Sequence, residues 1–275
     1  MRKSRMIKAV LMHATLILIS TFALFPFVWM LLTSFKTNVE VYTFPVIWIP
    51  ESLSLESYAR LLDINFHRFF LNSVQIAVSV MLAVVLLSIL ASYGFSRFKF
   101  AGKSLLFSSS LMGQLLPVSV MFMPLFMFLG RFFMDSYIAL FIVYVAILLP
   151  LPIWMLTAYF KGISKSLDEA AMIDGCNKLQ LLFHILIPPA MPGIVSVALF
   201  AFIVSWQEFL FALIFINSVS KRTLPLALVA FRGQFDIDWA SMMAASLVTT
   251  LPLAIFFVIM QRRLVAGLTG GAVKE

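Results

Sequence analysis

Long apolar runs separated by short polar segments set the rhythm of this chain. Runs of about 20 residues or more suffice to cross the hydrocarbon core of a bilayer as a helix. They fall at 9–32, 69–94, 105–129, 137–160, 189–216 and 240–261. Backbone embedded in lipid must satisfy its own N–H and C=O groups, and these turn-poor runs do not read as the short alternating strands of a barrel. The pattern predicts an all-α, polytopic membrane protein with six transmembrane helices in a single domain, residues 1–275. No internal repeat is evident.

The rhythm changes between Ser164 and Pro192, the longest polar-punctuated segment between two such runs. Ser166 followed three residues later by Glu169 fits a capping box, with Asp168 and Glu169 at the positive end of a short helix. Leu167, Ala170 and Ala171 give that helix a small apolar face. Gly175 can adopt the left-handed backbone that ends it, and Asn177 caps a second helix. There Leu179, Leu182, Phe183 and Leu186 fall at i, i+3, i+4 and i+7 before Pro188, Pro189 and Pro192 interrupt. The result is a bracket whose small, acidic knob fits a pocket on a partner. The alternative is an amphipathic loop lying on the membrane, with Glu169 used only for capping.

Composition sharpens the picture. The chain is 62% hydrophobic and 12% charged, with a mean hydropathy of +1.04, more apolar surface than a soluble domain of this size could hide. A net charge of +8 would suit nucleic acid, but the charges cluster at the ends of the apolar runs and indicate membrane topology instead. With the N-terminus inside, thirteen of the 20 Lys and Arg residues fall on the cytoplasmic side, which predicts both termini inside and places the Glu169 loop there too. Arg2, Lys3, Arg5 and Lys8 precede a run too long for a signal-peptide core, so 9–32 reads as the first span. Cys176 permits no intrachain disulfide. His13, His67 and His184 have no metal-ligand spacing, and no metal site is expected. Gly102-Lys103-Ser104 imitates the end of a phosphate loop, but Arg97 stands where the earlier glycine is required. With no grouped nucleophile and base, the chain does not read as an enzyme.

Polar groups inside the runs are candidates for a pathway. Gln114 lies in the third run with Pro117 and Pro124, and Pro150 and Pro152 bend the fourth, to line a path or to shape packing. The fifth run carries Ser205-Trp206-Gln207-Glu208. A carboxylate at a helix centre costs about 2.5–3.5 kcal/mol on insertion scales, so Glu208 is expected to face a cavity, water or a partner helix. The residues leave both a pathway role and a structural pairing open. Phe209, Phe211 and Phe215 read as packing. An ion-coupled secondary transporter or channel built on Glu208 is the competing function. The segment from Thr33 to Arg68, with Pro45, Trp48, Pro50 and Tyr58, predicts a small cap outside the membrane; Asn217 to Trp239 forms a second outer loop.

Glu169-Ala170-Ala171, three residues, Gly175, nine residues, Ile185, one residue and Ile187-Pro188 closely resemble the EAA loop of ABC importer permeases, with Ile187 where the family has Leu. Lys221-Arg222-Thr223-Leu224-Pro225 followed by Arg232-Gly233-Gln234-Phe235-Asp236 resembles the loop that meets the solute-binding protein in carbohydrate importers. The closing Gly-Leu-Thr-Gly-Gly-Ala-Val-Lys is similar to the tail of maltose-type permeases. The resemblance implies a type I ABC importer permease-like fold in a bacterial or archaeal inner membrane. It implies ATPase-coupling residues Glu169, Ala170, Ala171, Asp174 and Gly175, and binding-protein contacts at Arg232, Gly233 and Gln234. The implied partners are ATP-binding cassette subunits carrying ATP and Mg, a second permease subunit, a solute-binding protein and lipid, with no cofactor on this chain and no nucleic acid. Gln114, Gln207 and Glu208 are the translocation-path candidates.

Overall fold

The computed structural model describes residues 2–233 and 236–272, with side chains left out at 2–5, 230 and 262–272. Helices dominate. In chain order they are α1 (Arg2–Ser34), α2 (Asn38–Tyr42), α3 (Glu56–Asp63), α4 (Phe66–Arg97) and α5 (Lys103–Met112). There follow α6 (Val118–Phe133), α7 (Tyr137–Leu148), α8 (Pro150–Gly162), α9 (Lys165–Ile173) and α10 (Lys178–Gln180). The last four are α11 (Ile187–Gln207), α12 (Leu210–Phe215), α13 (Leu224–Leu228) and α14 (Trp239–Ala272). Among the described residues there is no strand, only an isolated antiparallel bridge between Arg232 and Ile237.

Among the described residues four helices are long and apolar enough to cross a membrane, and two bent helix pairs bring the number to six if each pair is one span. Three of the predicted runs are interrupted, two of them at the proline-bearing stretches expected to bend. The 105–129 run breaks at Gly113–Leu115 and Pro117, and α5 and α6 meet at 102°. Pro117 has no N–H to offer the preceding turn, whereas Pro124 stays inside α6. The 137–160 run bends by 45° at the Leu149–Pro150 step. The 189–216 run stops at Gln207, because Glu208 takes an extended ψ of 128°. Conversely, Pro188, Pro189 and Pro192 do not interrupt their helix. A π-helical turn at Leu181–Leu186 absorbs the register change ahead of the two prolines at the start of α11, and one span runs from Lys178 to Gln207. The last helix continues well past 261.

Expected as one domain, the chain divides into two compact units. The first comprises Met1–His67 and Ala227–Pro252. Its α1 contains an apolar window none of which is buried. The segment after α1 folds into the short helices α2 and α3 with turns between them. Thr37 and Glu40 make a reciprocal capping box on α2, and Lys36 lies over the Trp29 ring at 4.4 Å. Arg60 of α3 pairs with Asp238 at 2.8 Å, and Asp238 in turn accepts from the Ser241 N–H at the start of α14. Tyr42 donates to the Ile237 carbonyl at 2.7 Å.

The second unit, Arg68–Leu226 with Leu253–Glu275, holds α5 to α12 and most of α4. In lipid the drive for helices to associate is close packing, since lipid tails are as apolar as leucine, and small residues permit it. A stripe of Ala190, Gly193, Val197 and Ala201 runs buried along α11. At Gly193 a Cβ would lie 2.5 Å from the Tyr159 ring of α8. Ser92 of α4 donates to the Ile153 carbonyl of α8 at 2.8 Å, a hydrogen bond made inside the apolar core. Phe211 and Phe215 are buried and pack on Phe122 and Phe126, as expected of packing aromatics.

Candidate functional site

The Glu169 loop is built as two short helices joined at Gly175. Ser164, not Ser166, caps α9: its hydroxyl accepts from the Ser166 N–H at 3.3 Å. The capping box expected of Ser166 and Glu169 is absent because the helix starts two residues earlier than the motif suggests. Gly175 sits at φ +89°. The Gly175 N–H bonds the Met172 carbonyl and the Cys176 N–H bonds the Ala171 carbonyl, the paired closure of a Schellman motif. Asn177 caps α10 with a full capping box through Gln180.

Glu169, Ala170, Asp174 and Gly175 all lie exposed. Ala171 does not: it is 6% exposed and belongs to the chain's own core, so its small size serves close approach inside the molecule and not at a partner. The apolar face of the second helix is likewise rotated. Leu181, Leu182 and Leu186 are buried while Leu179 and Phe183 point outward, because the π turn widens the helix and shifts the face from the α-helical spacing.

Asp168, the neighbour of Glu169, faces inward. Its Oδ2 lies 2.5 Å from Nε of Arg97, with side chains only 10% and 7% exposed. The Arg97 guanidinium also donates to the carbonyls of Phe160 at 2.8 Å and Ile163 at 3.1 Å. The sequence around Asp168 suggests only the helix dipole and gives no sign of Arg97, because nothing local reports a partner 71 positions away.

The pathway candidates are partly brought together. The Gln114 amide, at the α5–α6 break, donates to the Ile147 carbonyl at 2.8 Å and lines a cavity of about 210 Å³. Glu208 lines a second cavity of about 110 Å³, and the two share Val118 and Ile147. The Glu208 carboxylate receives the Tyr144 hydroxyl, the Phe211 N–H at 2.8 Å and the Ala212 N–H at 3.2 Å. It therefore closes the break between α11 and α12, the structural pairing left open above. Gln207, the last residue of α11, is exposed.

Arg232 and Gly233 are exposed beside the bridge to Ile237, and Gln234 lies outside the described residues. In the second unit, Asn72 of α4 donates to the Ser220 and Arg222 carbonyls at 2.9 and 3.0 Å, and Ser73 accepts from the Leu224 N–H at 2.8 Å. Asp135 collects the Ser218 hydroxyl, the Asn217 and Ser218 N–H groups and Lys221. The Ser218 hydroxyl foremost, with the Ser218 N–H and the Lys221 ammonium, holds its carboxyl well below the usual carboxylate range. Among the described residues no cluster of His, Cys, Asp and Glu is arranged to hold a metal.

The family described as the binding-protein-dependent transport system inner membrane component matches residues 84–270, well over half the chain. The chain belongs to that family. It is a membrane-spanning permease component of a binding-protein-dependent importer and sits as a multi-pass protein in the inner membrane. It is 37% identical to the trehalose/maltose transport system permease protein of Thermococcus litoralis, covering 99% of both chains. It is 35% identical to the sulfoquinovosyl glycerol transport system permease protein of Agrobacterium fabrum, over 91% of this chain and 89% of that one. A diacetylchitobiose uptake system permease protein of Streptomyces coelicolor is 33% identical over 96% of this chain and 88% of its own length. The fold is shared with a chain of a bacterial ABC transporter that imports the acidic polysaccharide alginate. That likeness has a TM-score of 0.79 at 19% identity and covers 94% of this chain and 97% of the other.

Proposed function

We propose that this family member is one of two permease subunits of an ATP-driven importer for carbohydrates or related solutes, with both termini in the cytoplasm. The observation that carries the coupling role is the two-faced α9. Its inner face is fixed by Asp168 and Ala171, while Glu169 and Ala170, with the Asp174–Gly175 turn that follows, are left free for a partner. That face suits a cleft on an ATP-binding cassette subunit, which would carry the ATP and Mg; this chain would bind no cofactor. The carbohydrate class is supported by relatives named for trehalose/maltose, sulfoquinovosyl glycerol and diacetylchitobiose. Arg232, Gly233 and Gln234 would meet the solute-binding protein, and a second permease and lipid would cover faces such as α1. The cavities at Gln114 and Glu208 would contribute to the path, with Gln207 at its edge. Closure of the ATPase pair would move α9, and the docked loop would bias spans that alternate between two arrangements.

The test is affinity co-purification of the tagged chain from native membranes, with ATP hydrolysis and solute uptake assayed with and without Glu169→Lys. The expected result is an ATPase and a second permease in the eluate, and loss of coupled uptake in the variant. Purification of the chain alone, with solute moved in vesicles without ATP, would overturn the reading.

A further inference from the structure

Each end of α4 makes polar contacts with other elements. At its C-terminal end the Arg97 side chain is only 7% exposed, and its guanidinium joins α4 to the Phe160 carbonyl of α8, the Ile163 carbonyl just after that helix and Asp168 in the first turn of α9. A second tie lies beyond Gly175, where Tyr93 of α4 donates to the Lys178 carbonyl at 3.2 Å and the Lys178 ammonium sits 5.1 Å from the Phe98 ring. Both arms of the Glu169 loop are thus fastened to one helix end. At the other end Asn72 and Ser73 hold the 220–224 segment through three hydrogen bonds to its backbone. Between them α4 runs without a proline or a break, while α5–α6, α7–α8 and α11–α12 are all interrupted. From Asn72 to Arg97 an α-helix rises about 37 Å, at 1.5 Å per residue.

We propose that α4 is a strut between the coupling loop and the 220–224 segment. Arg97 and Asp168 are its positioning residues at one end and Asn72 at the other. The proposal rests on the coupling-loop reading. An isolated buried ion pair is weak evidence of stability, because its desolvation offsets its attraction, but it fixes one geometry firmly. Were α9 held only by apolar contacts it could slide or roll under load; the planar fork of Arg97 on two carbonyls and a carboxylate allows neither. Displacement of Glu169 therefore moves the ends of α4 and α8 together, and α4 carries it to the segment that Asn72 and Ser73 hold.

The test uses the full complex reconstituted in vesicles, reading ATPase subunit retained, basal ATP hydrolysis and solute moved per ATP. Asp168→Asn is nearly isosteric and leaves Arg97 its carbonyl partners, so the complex is expected to assemble and hydrolyse ATP. Solute moved per ATP should fall by about tenfold. Asn72→Ala should lower the same ratio, and the double variant should fall no further than the worse single one, since both cut one strut. An unchanged ratio in the assembled Asp168→Asn complex overturns the proposal, as do additive losses in the double variant. Release of the ATPase subunit by Asp168→Asn also overturns it, because Asp168 would then shape the docking face itself. Glu169→Lys run in parallel separates the two levels: if it leaves retention and coupling intact, the coupling-loop reading fails and the strut loses its input.

Discussion

Tyr144 of α7 donates its hydroxyl proton to Glu208, and the same carboxylate accepts the Phe211 and Ala212 N–H groups across the break between α11 and α12. One acidic side chain thereby ends one helix, opens the next and ties both to a neighbour. Its three donors satisfy a charge that lipid would otherwise penalise, which accounts for a carboxylate in an apolar run without assigning it an ion.

Glu208→Ala strands those three donors and should destabilise the protein by about 3 kcal/mol or more, since each buried unsatisfied group costs roughly 1–3 kcal/mol. Tyr144→Phe leaves both backbone bonds intact and should cost about 1 kcal/mol. Thermal unfolding of the detergent-solubilised protein gives the order. A Tyr144→Phe variant less stable than Glu208→Ala would contradict this role.

Gly175 ends α9 at φ +89°, and a Cβ added there meets nothing within 4 Å. Gly175→Ala therefore carries a purely backbone penalty of about 1–2 kcal/mol. Gly175→Asn, which tolerates left-handed backbone, should retain more coupled uptake than Gly175→Ala. Equal losses would mean that the turn's conformation is not what the loop needs.

At Gly193 the opposite holds: the backbone is helical, but a Cβ would sit 2.5 Å from the Tyr159 ring. Gly193→Ala should cost about 1–3 kcal/mol by forcing α8 and α11 apart. Combining it with Tyr159→Ala should recover part of the loss, whereas Tyr159→Phe, which keeps the ring, should not. The melting temperatures of the three variants decide it.

Asp135 sets a pH dependence with a definite sign. Its folded-state pKa is depressed by the Ser218 hydroxyl, the Ser218 N–H and Lys221. Its contribution is thus fully present above the unfolded value of about 3.9 and is lost only as pH falls through the lower folded value. Protease resistance of the 217–221 segment should be flat between about pH 5 and 8, and Asp135→Asn should lower it uniformly across that window. A wild-type midpoint near neutrality would be inconsistent with these contacts.

What the sequence determined by itself was whatever depends on local chemistry. Run length and the scarcity of turn residues gave the helical membrane class, because lipid leaves the backbone few choices. Gly175 and Asn177 announced their caps, since positive φ and a short side-chain acceptor are properties of single residues. The resemblance to the EAA loop rests on single residues at fixed spacing in the same way. The tertiary structure decided what depends on distant partners. Local pattern could not say that Asp168 turns inward to Arg97, that Ala171 belongs to the core, or that Glu208 closes a helix break with Tyr144, 64 residues earlier. Nor could composition tell a proline that breaks a span, Pro117, from prolines carried by a π turn, Pro188 and Pro189. For Asp168 and Glu208 the deciding energy is the satisfaction of a polar group away from water, for Ala171 it is close packing, and in both the partner is supplied by the fold.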